Sequence, residues 1–282
     1  MPELPEVEVV RRGLADHILN RRIASVQVFN PRAIRRHDAG VADFIASLTG
    51  QRFSDVQRRG KFMWLRWMDS ALVVHLGMSG QMLVRSTAEG LSSHCRILFS
   101  FDRPKSSLIF DDQRTFGGMH VDALVTAPDG REVPLAVAHI APDPFEPSFN
   151  ADRVVEMIRS RRTSVKSLLL NQEVVSGIGN IYADEALWRT KLNWRSPGDS
   201  LSRAKVRSLL EHAQQVMAEA LDQGGTSFDA LYVNINGQSG YFSRSLNAYG
   251  REGEACARCG SLIVREPFAN RSSYRCPRCQ RR

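Results

Sequence analysis

Leu4, Val7, Val10, Leu14 and Ile18 recur at steps of three and four residues, the period of one apolar helix face, so a helix is predicted from the start of the chain. Pro5 suits its first turn, where a missing N–H costs nothing. From residue 22 to residue 130 the period shortens. Ile23–Phe29, Lys61–Trp67, Ala71–Leu76, Gln81–Arg85, Arg96–Phe101 and Ser107–Asp111 read as short strands broken by Gly and Asp turns, the pattern of a β-sandwich or barrel. Val41–Leu48 reads as a short helix between strands. Pro142, Pro144 and Pro147, with Pro134 upstream, end that pattern. Beyond them the period is helical again, in Asp152–Ser160, Ser164–Leu170, Ile181–Trp188 and Ser202–Gln223, the last capped by Ser202 and stopped by Gly224-Gly225. The closing stretch reads as a β-hairpin, Ile263–Phe268 followed by Ser273–Arg275. The expected division is therefore 1–133, a strand-rich domain; 134–150, a linker; 151–249, a helical domain; and 250–282, a small module of its own.

Composition narrows the function. With 282 residues, 43% hydrophobic and 24% charged, the chain is an ordinary globular one with room for two cores. No apolar run approaches the ~20 residues that span a bilayer, and no basic stretch leads into an apolar one at the N-terminus, so a cytoplasmic location is expected. The net charge is +8 and the pI about 9.6. Residues 250–282 hold eight Arg and three Glu, so +5 of the +8 lies in that last module. Such a face attracts a polyanion.

Four of the five cysteines form Cys256-x2-Cys259 and Cys276-x2-Cys279, with sixteen residues between the pairs. That spacing fits a tetrahedral four-thiolate zinc site, one structural Zn2+, better than two disulfides in a reducing compartment. Cys95, left over in a strand-like run, reads as a small buried apolar residue.

The N-terminus offers candidate chemistry, beside the plainer reading that its prolines only shape a helix entry. If Met1 is removed, the secondary amine of Pro2 lies just ahead of a helix N-terminus, beside Glu3. The positive end of the helix dipole disfavours the protonated amine, and an ordinary α-amino group already titrates at roughly 7.7–8.0. A neutral secondary amine attacking a sugar carbon gives an iminium, the electron sink of Schiff-base catalysis.

Pro2-Glu3-Leu4-Pro5-Glu6-Val7-Glu8, Arg58-Arg59-Gly60-Lys61, His75-Leu76-Gly77-Met78-Ser79-Gly80, Gly177-Ile178-Gly179-Asn180-Ile181-Tyr182 and the four-cysteine module occur in one order from residue 2 to residue 279. In these motifs the chain resembles the bacterial formamidopyrimidine-DNA glycosylases (8-oxoguanine DNA glycosylases). The resemblance implies an α+β, two-domain fold: an N-terminal β-sandwich with flanking helices, then a C-terminal helix-two-turns-helix domain with a β-hairpin zinc finger. It also implies a bifunctional, monomeric repair enzyme associated with the nucleoid. Such an enzyme flips an oxidised purine out of double-stranded DNA, cleaves its glycosidic bond and breaks the strand by β,δ-elimination. By that resemblance Pro2 is the nucleophile, Glu3 its proton-handling partner, Lys61 the lysine of β-elimination and Arg271 the finger arginine of δ-elimination. Met78, Arg114 and Phe116 fill the void left by the extruded base, as apolar wedges and a planar guanidinium can. His94, Arg162, Lys166 and Asn180 map onto phosphate contacts.

Two stretches depart from the family pattern. Gln113 stands where Asp-Pro-Arg-x-Phe-Gly is common, which leaves the key Arg114 and Phe116 in place. The loop expected to close over the flipped base, Thr226–Tyr241, is glycine-rich and lacks the lysine several members carry. Two competitors remain: an endonuclease VIII type acting on oxidised pyrimidines, disfavoured by Leu4 and the Met/Arg/Phe set, and a non-catalytic zinc-finger DNA-binding paralogue, disfavoured by intact Pro2, Glu3 and Lys61.

Overall fold

The computed structural model describes residues 2–86, 88–102, 106–225 and 245–282. The chain separates into two compact units, Met1–His139 with Gln223–Tyr241, and Ile140–Asp222 with Phe242–Arg282.

Unit 1 opens with helix α1 (Leu4–Ile18), whose predicted apolar stripe is buried along its whole length. Two antiparallel sheets follow. Strands β1 (Ile23–Val28), β5 (Gly80–Ser86), β6 (Cys95–Phe101) and β7 (Ser106–Asp112) form one, in the order β1-β6-β7-β5. Strands β2 (Asp55–Arg59), β3 (Phe62–Trp67), β4 (Ser70–His75), β8 (Gly118–Thr126) and β9 (Glu132–Pro134) form the other, in that order. Alternate residues of β6, Cys95, Ile97, Phe99 and Phe101, are buried while those between are not, the period-two signature of a one-sided sheet. A single apolar cluster joins both sheets to α1 and to α2 (Gly40–Leu48), from Leu14 and Phe44 through Leu65 and Leu72 to Phe99 and Phe110. The expected sandwich with flanking helices is what forms. Removing one fully buried leucine from it, as in Leu14→Ala, costs about 2–5 kcal/mol.

Unit 2 is helical as its period foretold: α3 (Ala151–Arg159), α4 (Val165–Leu170), α5 (Asn180–Thr190) and α6 (Arg203–Asp222). Side-chain caps start three of them: Asn150 receives Arg153 N–H, Ser164 receives Ser167 N–H, and Ser202 receives Lys205 N–H. Between α4 and α5 the chain makes two turns. The Gln172 amide holds them together, donating to the Leu170 and Ile178 carbonyls (2.9 and 3.2 Å) and accepting from Gly177 N–H at 2.9 Å. The unit ends in the hairpin β10 (Val264–Phe268) and β11 (Arg271–Arg275), paired antiparallel from Val264↔Arg275 to Phe268↔Arg271. Among the described residues no helix is long and apolar enough to cross a membrane.

Candidate active site and nucleic-acid interface

Pro2 and Glu3 lie at the mouth of α1, both buried. Glu3 is the N-cap. Its backbone N–H donates to Glu6 Oε2 at 2.8 Å, and its own carboxylate receives the Glu6 N–H, a reciprocal capping box. The N-terminal peptide is thus fixed in direction by two carboxylates at the positive end of a fifteen-residue helix.

One turn further along, Glu8 ties the helix to the turn that carries Lys61. Arg11 and Arg12 reach its carboxylate at 2.8 Å and Arg58 at 3.1 Å. Burial pushes Glu8 upward, but the three guanidinium groups outweigh it and hold the group down at about 2. Arg58 also donates to the Gly60 carbonyl at 3.2 Å, and Arg59, 1% exposed, pairs with Asp129. Lys61, itself buried, follows directly. Gly60 stands at φ +55°, a left-handed position that glycine takes without strain.

Met78 and Phe116 are among the few large apolar side chains left exposed, at 39% and 41%. Their loops touch through glycines: a Cβ on Gly77 would lie 2.3 Å from Gly117 N. Arg114 is exposed, with its guanidinium carbon 5.0 Å from the Phe116 ring centre. The two apolar side chains and the arginine that the sequence singled out therefore stand on adjoining loops of unit 1. His94, at the edge of β6, gives its carbonyl to Asp112 N–H at 2.9 Å.

In unit 2 the expected phosphate contacts divide. The Arg162 side chain is 95% exposed and meets Asp199 at 3.4 Å. Asn180 opens α5; its Nδ2 donates to the Ser272 carbonyl at 2.9 Å and its Oδ1 has no hydrogen-bond partner among the described residues. Lys166 departs from expectation. It is fully buried, and its ammonium donates to Asp184 at 2.7 Å and to the Ser272 carbonyl at 3.4 Å, 4.8 Å from the Phe268 ring centre. Asp184 also receives Ser273 Oγ and Tyr274 N–H, both at 2.9 Å, so Lys166 fastens α4 and α5 to the finger hairpin and offers no charge to solvent. Arg271 is exposed as the first residue of β11, beyond the Ala269-Asn270 turn.

The four finger cysteines bring their sulfurs within 4.8 Å of one another, as thiolates on one tetrahedral Zn2+ would be, at about 3.8 Å for Zn–S bonds of ~2.3 Å. The donor set fits the ion. Burial and the adjoining thiols push Cys279 up to about 12, while the Ser261 backbone and hydroxyl pull Cys259 down to about 6. Four crowded sulfurs ionise together only around a cation. Trp188 Nε1 donates to Cys256 Sγ and Cys279 N–H to Cys276 Sγ, both at 3.4 Å, supplying the outer hydrogen bonds typical of such centres.

Three residues that matter here were given no role in the sequence reading. Burial, with Arg36, Lys61 and Arg35 nearby, pushes His75 down to about 4, so its neutral ring accepts Gly77 N–H at Nδ1, 3.2 Å away. Arg35 donates to the carbonyls of Phe116 (2.8 Å) and Gly117 (2.7 Å). Asp112, 0% exposed, collects hydrogen bonds from both wedge loops. His75 sat inside a quoted motif. For Arg35 and Asp112 no local pattern announces a partner some eighty or thirty residues away. The closing loop 226–241 lies outside the described residues.

A β-sandwich with Pro2 buried at a helix mouth, a helix-two-turns-helix unit and a hairpin finger with four clustered cysteines define a class of zinc-finger DNA glycosylases. The comparisons agree along the whole chain. Residues 1–119 match the formamidopyrimidine-DNA glycosylase N-terminal domain, 140–230 the corresponding H2TH domain, and 253–282 the zinc finger found in FPG and IleRS. The formamidopyrimidine-DNA glycosylase of Mycolicibacterium smegmatis is 57% identical over 283 residues, covering 100% of this chain and 98% of its own. That of Nocardia farcinica is 55% identical over 292 residues, covering 100% and 99%. Among solved structures, MutM in complex with DNA containing carbocyclic 8-oxo-G superposes with a TM-score of 0.86 at 29% identity, and a Lactococcus lactis FPG mutant bound to Fapy-dG DNA with 0.88 at 29%, each covering 100% of both chains. The chain belongs to the formamidopyrimidine-DNA glycosylase family.

Proposed function

We propose that the protein is a bifunctional DNA glycosylase and AP lyase that excises oxidised purines, 8-oxoguanine and formamidopyrimidines, from double-stranded DNA. The observation that carries this reading is identity above half, over the entire chain, to formamidopyrimidine-DNA glycosylases. A base inside the duplex is unreachable, so extrusion comes first, at a few kcal/mol for unstacking; Met78 and Phe116 enter the gap and Arg114 meets the base left behind. With Met1 removed, the Pro2 nitrogen bonds to C1′ as the bond from C1′ to the damaged base breaks, and the base leaves with a proton. Glu3 protonates the ring oxygen as the sugar opens to an iminium. Loss of a C2′ proton expels the 3′ phosphate, assisted by Lys61. A second elimination, assisted by Arg271, expels the 5′ phosphate, and water then releases the sugar fragment from Pro2. The finger and helical unit supply phosphate contacts through Arg162 and Asn180. Monomeric action and association with the nucleoid follow from that partner.

Borohydride tests this reading. With an 8-oxoguanine:cytosine duplex it should trap a covalent complex at the N-terminus, and Pro2→Gly or a retained Met1 should abolish trapping and incision together. Intact incision by either variant would refute the nucleophile. A Lactococcus lactis FPG has also been solved with DNA containing an oxidised pyrimidine, so the same assay with thymine glycol decides the lesion class; faster excision of thymine glycol would overturn the purine assignment.

A further inference from the structure

The residues expected to touch DNA on unit 1 are scattered along the sequence, yet their backbones meet at one side chain. Asp112 closes β7 opposite Gly80, the first residue of β5. Its Oδ1 accepts Ser79 Oγ at 2.5 Å and Arg114 N–H at 3.2 Å; its Oδ2 accepts Gly117 N–H at 2.8 Å. Ser79 Oγ in turn accepts Arg114 N–H at 3.1 Å. The Asp112 backbone continues the pattern. Its N–H goes to the His94 carbonyl, and its own carbonyl receives Arg96 Nε at 2.8 Å and Thr115 Oγ1 at 3.4 Å. One fully buried carboxylate thus reaches the neighbour of Met78, the N–H of Arg114 and the neighbour of Phe116, and its backbone reaches His94.

Such a group is costly to bury unless its oxygens are filled, and here three donors fill them. All three come from the two loops that present the wedges. Thr115, between Arg114 and Phe116, is held at φ +52°, a conformation a β-branched residue leaves unless its surroundings enforce it.

Resting on the function proposed above, we propose that Asp112 is a positioning residue for base extrusion. It locks the Met78 loop and the Arg114–Phe116 loop into one rigid unit, so that both wedges and the arginine enter the duplex together. It touches no reacting atom. Its loss should impair steps that require a filled void and spare the chemistry at Pro2.

Asp112→Asn keeps the shape but turns a donor toward one of the loop donors, and Ser79→Ala removes the Ser79 arm with its bond to Arg114 N–H while leaving the direct Arg114 and Gly117 bonds to the carboxylate. Incision is measured on an 8-oxoguanine:cytosine duplex and on a single-stranded abasic oligonucleotide, which has no stack to open and no partner base. For Asp112→Asn the duplex rate should fall at least tenfold while single-strand incision and borohydride trapping stay within about twofold, with Ser79→Ala intermediate. The ratio of 8-oxoguanine excision opposite cytosine to that opposite adenine should shrink. In a Phe116→Ala background the added loss from Asp112→Asn should be much smaller, because both act through one element. Equal loss on both substrates with a lowered melting temperature would reduce Asp112 to a stability role, and an unchanged duplex rate would refute the proposal outright. If the wild-type protein incises neither substrate, the functional reading itself fails.

Discussion

Glu8 in unit 1 and Asp184 in unit 2 are both carboxylates pressed against basic groups, and they titrate in opposite directions. Glu8 keeps some contact with water and gathers Arg11, Arg12 and Arg58, so the cations win and it falls to about 2. Asp184 is 0% exposed with one cation, Lys166, also 0% exposed, so burial wins and it rises to about 6. A carboxylate surrounded by several cations, with a little of its surface still wet, behaves as a brace that strengthens with ionisation. A dry pair is a fastener whose two halves depend on each other, and whose net contribution is small even though breaking it is expensive. Unit 1 uses the brace to hold Lys61 to the helix of Pro2, and unit 2 uses the fastener to hold its finger to α4 and α5.

The largest expected effect comes from withdrawing the ion that the finger needs. The apolar cluster there is small, Trp188, Ala248, Cys256, Ile263 and Cys276, against the extended core of unit 1. Structural zinc supplies about 10–16 kcal/mol in such modules. Chelation, or Cys276→Ser, should release one zinc per chain, unfold residues 250–282 and cost most of the DNA affinity. The β-sheet hydrogen-exchange protection of unit 1 should persist; its collapse in parallel would show that the finger supports more than unit 2.

Next, Asp184→Asn leaves the Lys166 ammonium buried without its counter-charge, a loss of about 3–5 kcal/mol, read as a lower melting temperature and weaker protection at β10 and β11. The double change Asp184→Asn with Lys166→Met should recover most of it. Acid sharpens the contrast with unit 1. Glu8 sits below its unfolded 4.5, so its contribution is full above that pH and is lost as pH falls toward about 2. Glu8→Gln should cost about 2 kcal/mol at pH 7, solvent screening of the outer arginines included, and the gap to wild type should close between pH 4.5 and 2. A constant gap would mean that shape, and not charge, makes the brace. Because Arg58 steadies the Lys61 turn, the same variant should slow β-elimination more than trapping.

These contrasts explain what could be read from the chain. The α1 stripe, the alternating β6 and the capped helices of unit 2 were legible because each buries one regular face. The strand Asp55–Arg59 was not, since Asp-Val-Gln-Arg-Arg has no apolar alternation; its two arginines are held because Arg58 and Arg59 find Glu8 and Asp129 elsewhere. The residues expected to act in catalysis and as wedges stood out only as family motifs. What orders them, Asp112, Arg35 and Glu8, did not, because a hydrogen bond across thirty to eighty residues leaves no local mark. Lys166 shows the converse: a lysine in a basic family motif looks like a phosphate contact until Asp184 is found beneath it.

Arg162 gives the smallest effect and the cleanest check on that last distinction. It lies four residues from Lys166, yet its side chain is 95% exposed and its contact with Asp199, at 3.4 Å, is a surface pair worth little. Arg162→Ala should leave the melting temperature almost unchanged, within about 0.5 kcal/mol of stability. If the guanidinium meets a phosphate, affinity for undamaged and lesion duplexes should fall by the same factor, and the slope of log affinity against log salt should become shallower by about 1. Lys166→Met should do the reverse, lowering stability while leaving the salt slope alone. Two cations four residues apart would then be separated by a single plot, and equal slopes for both variants would return Lys166 to the DNA surface.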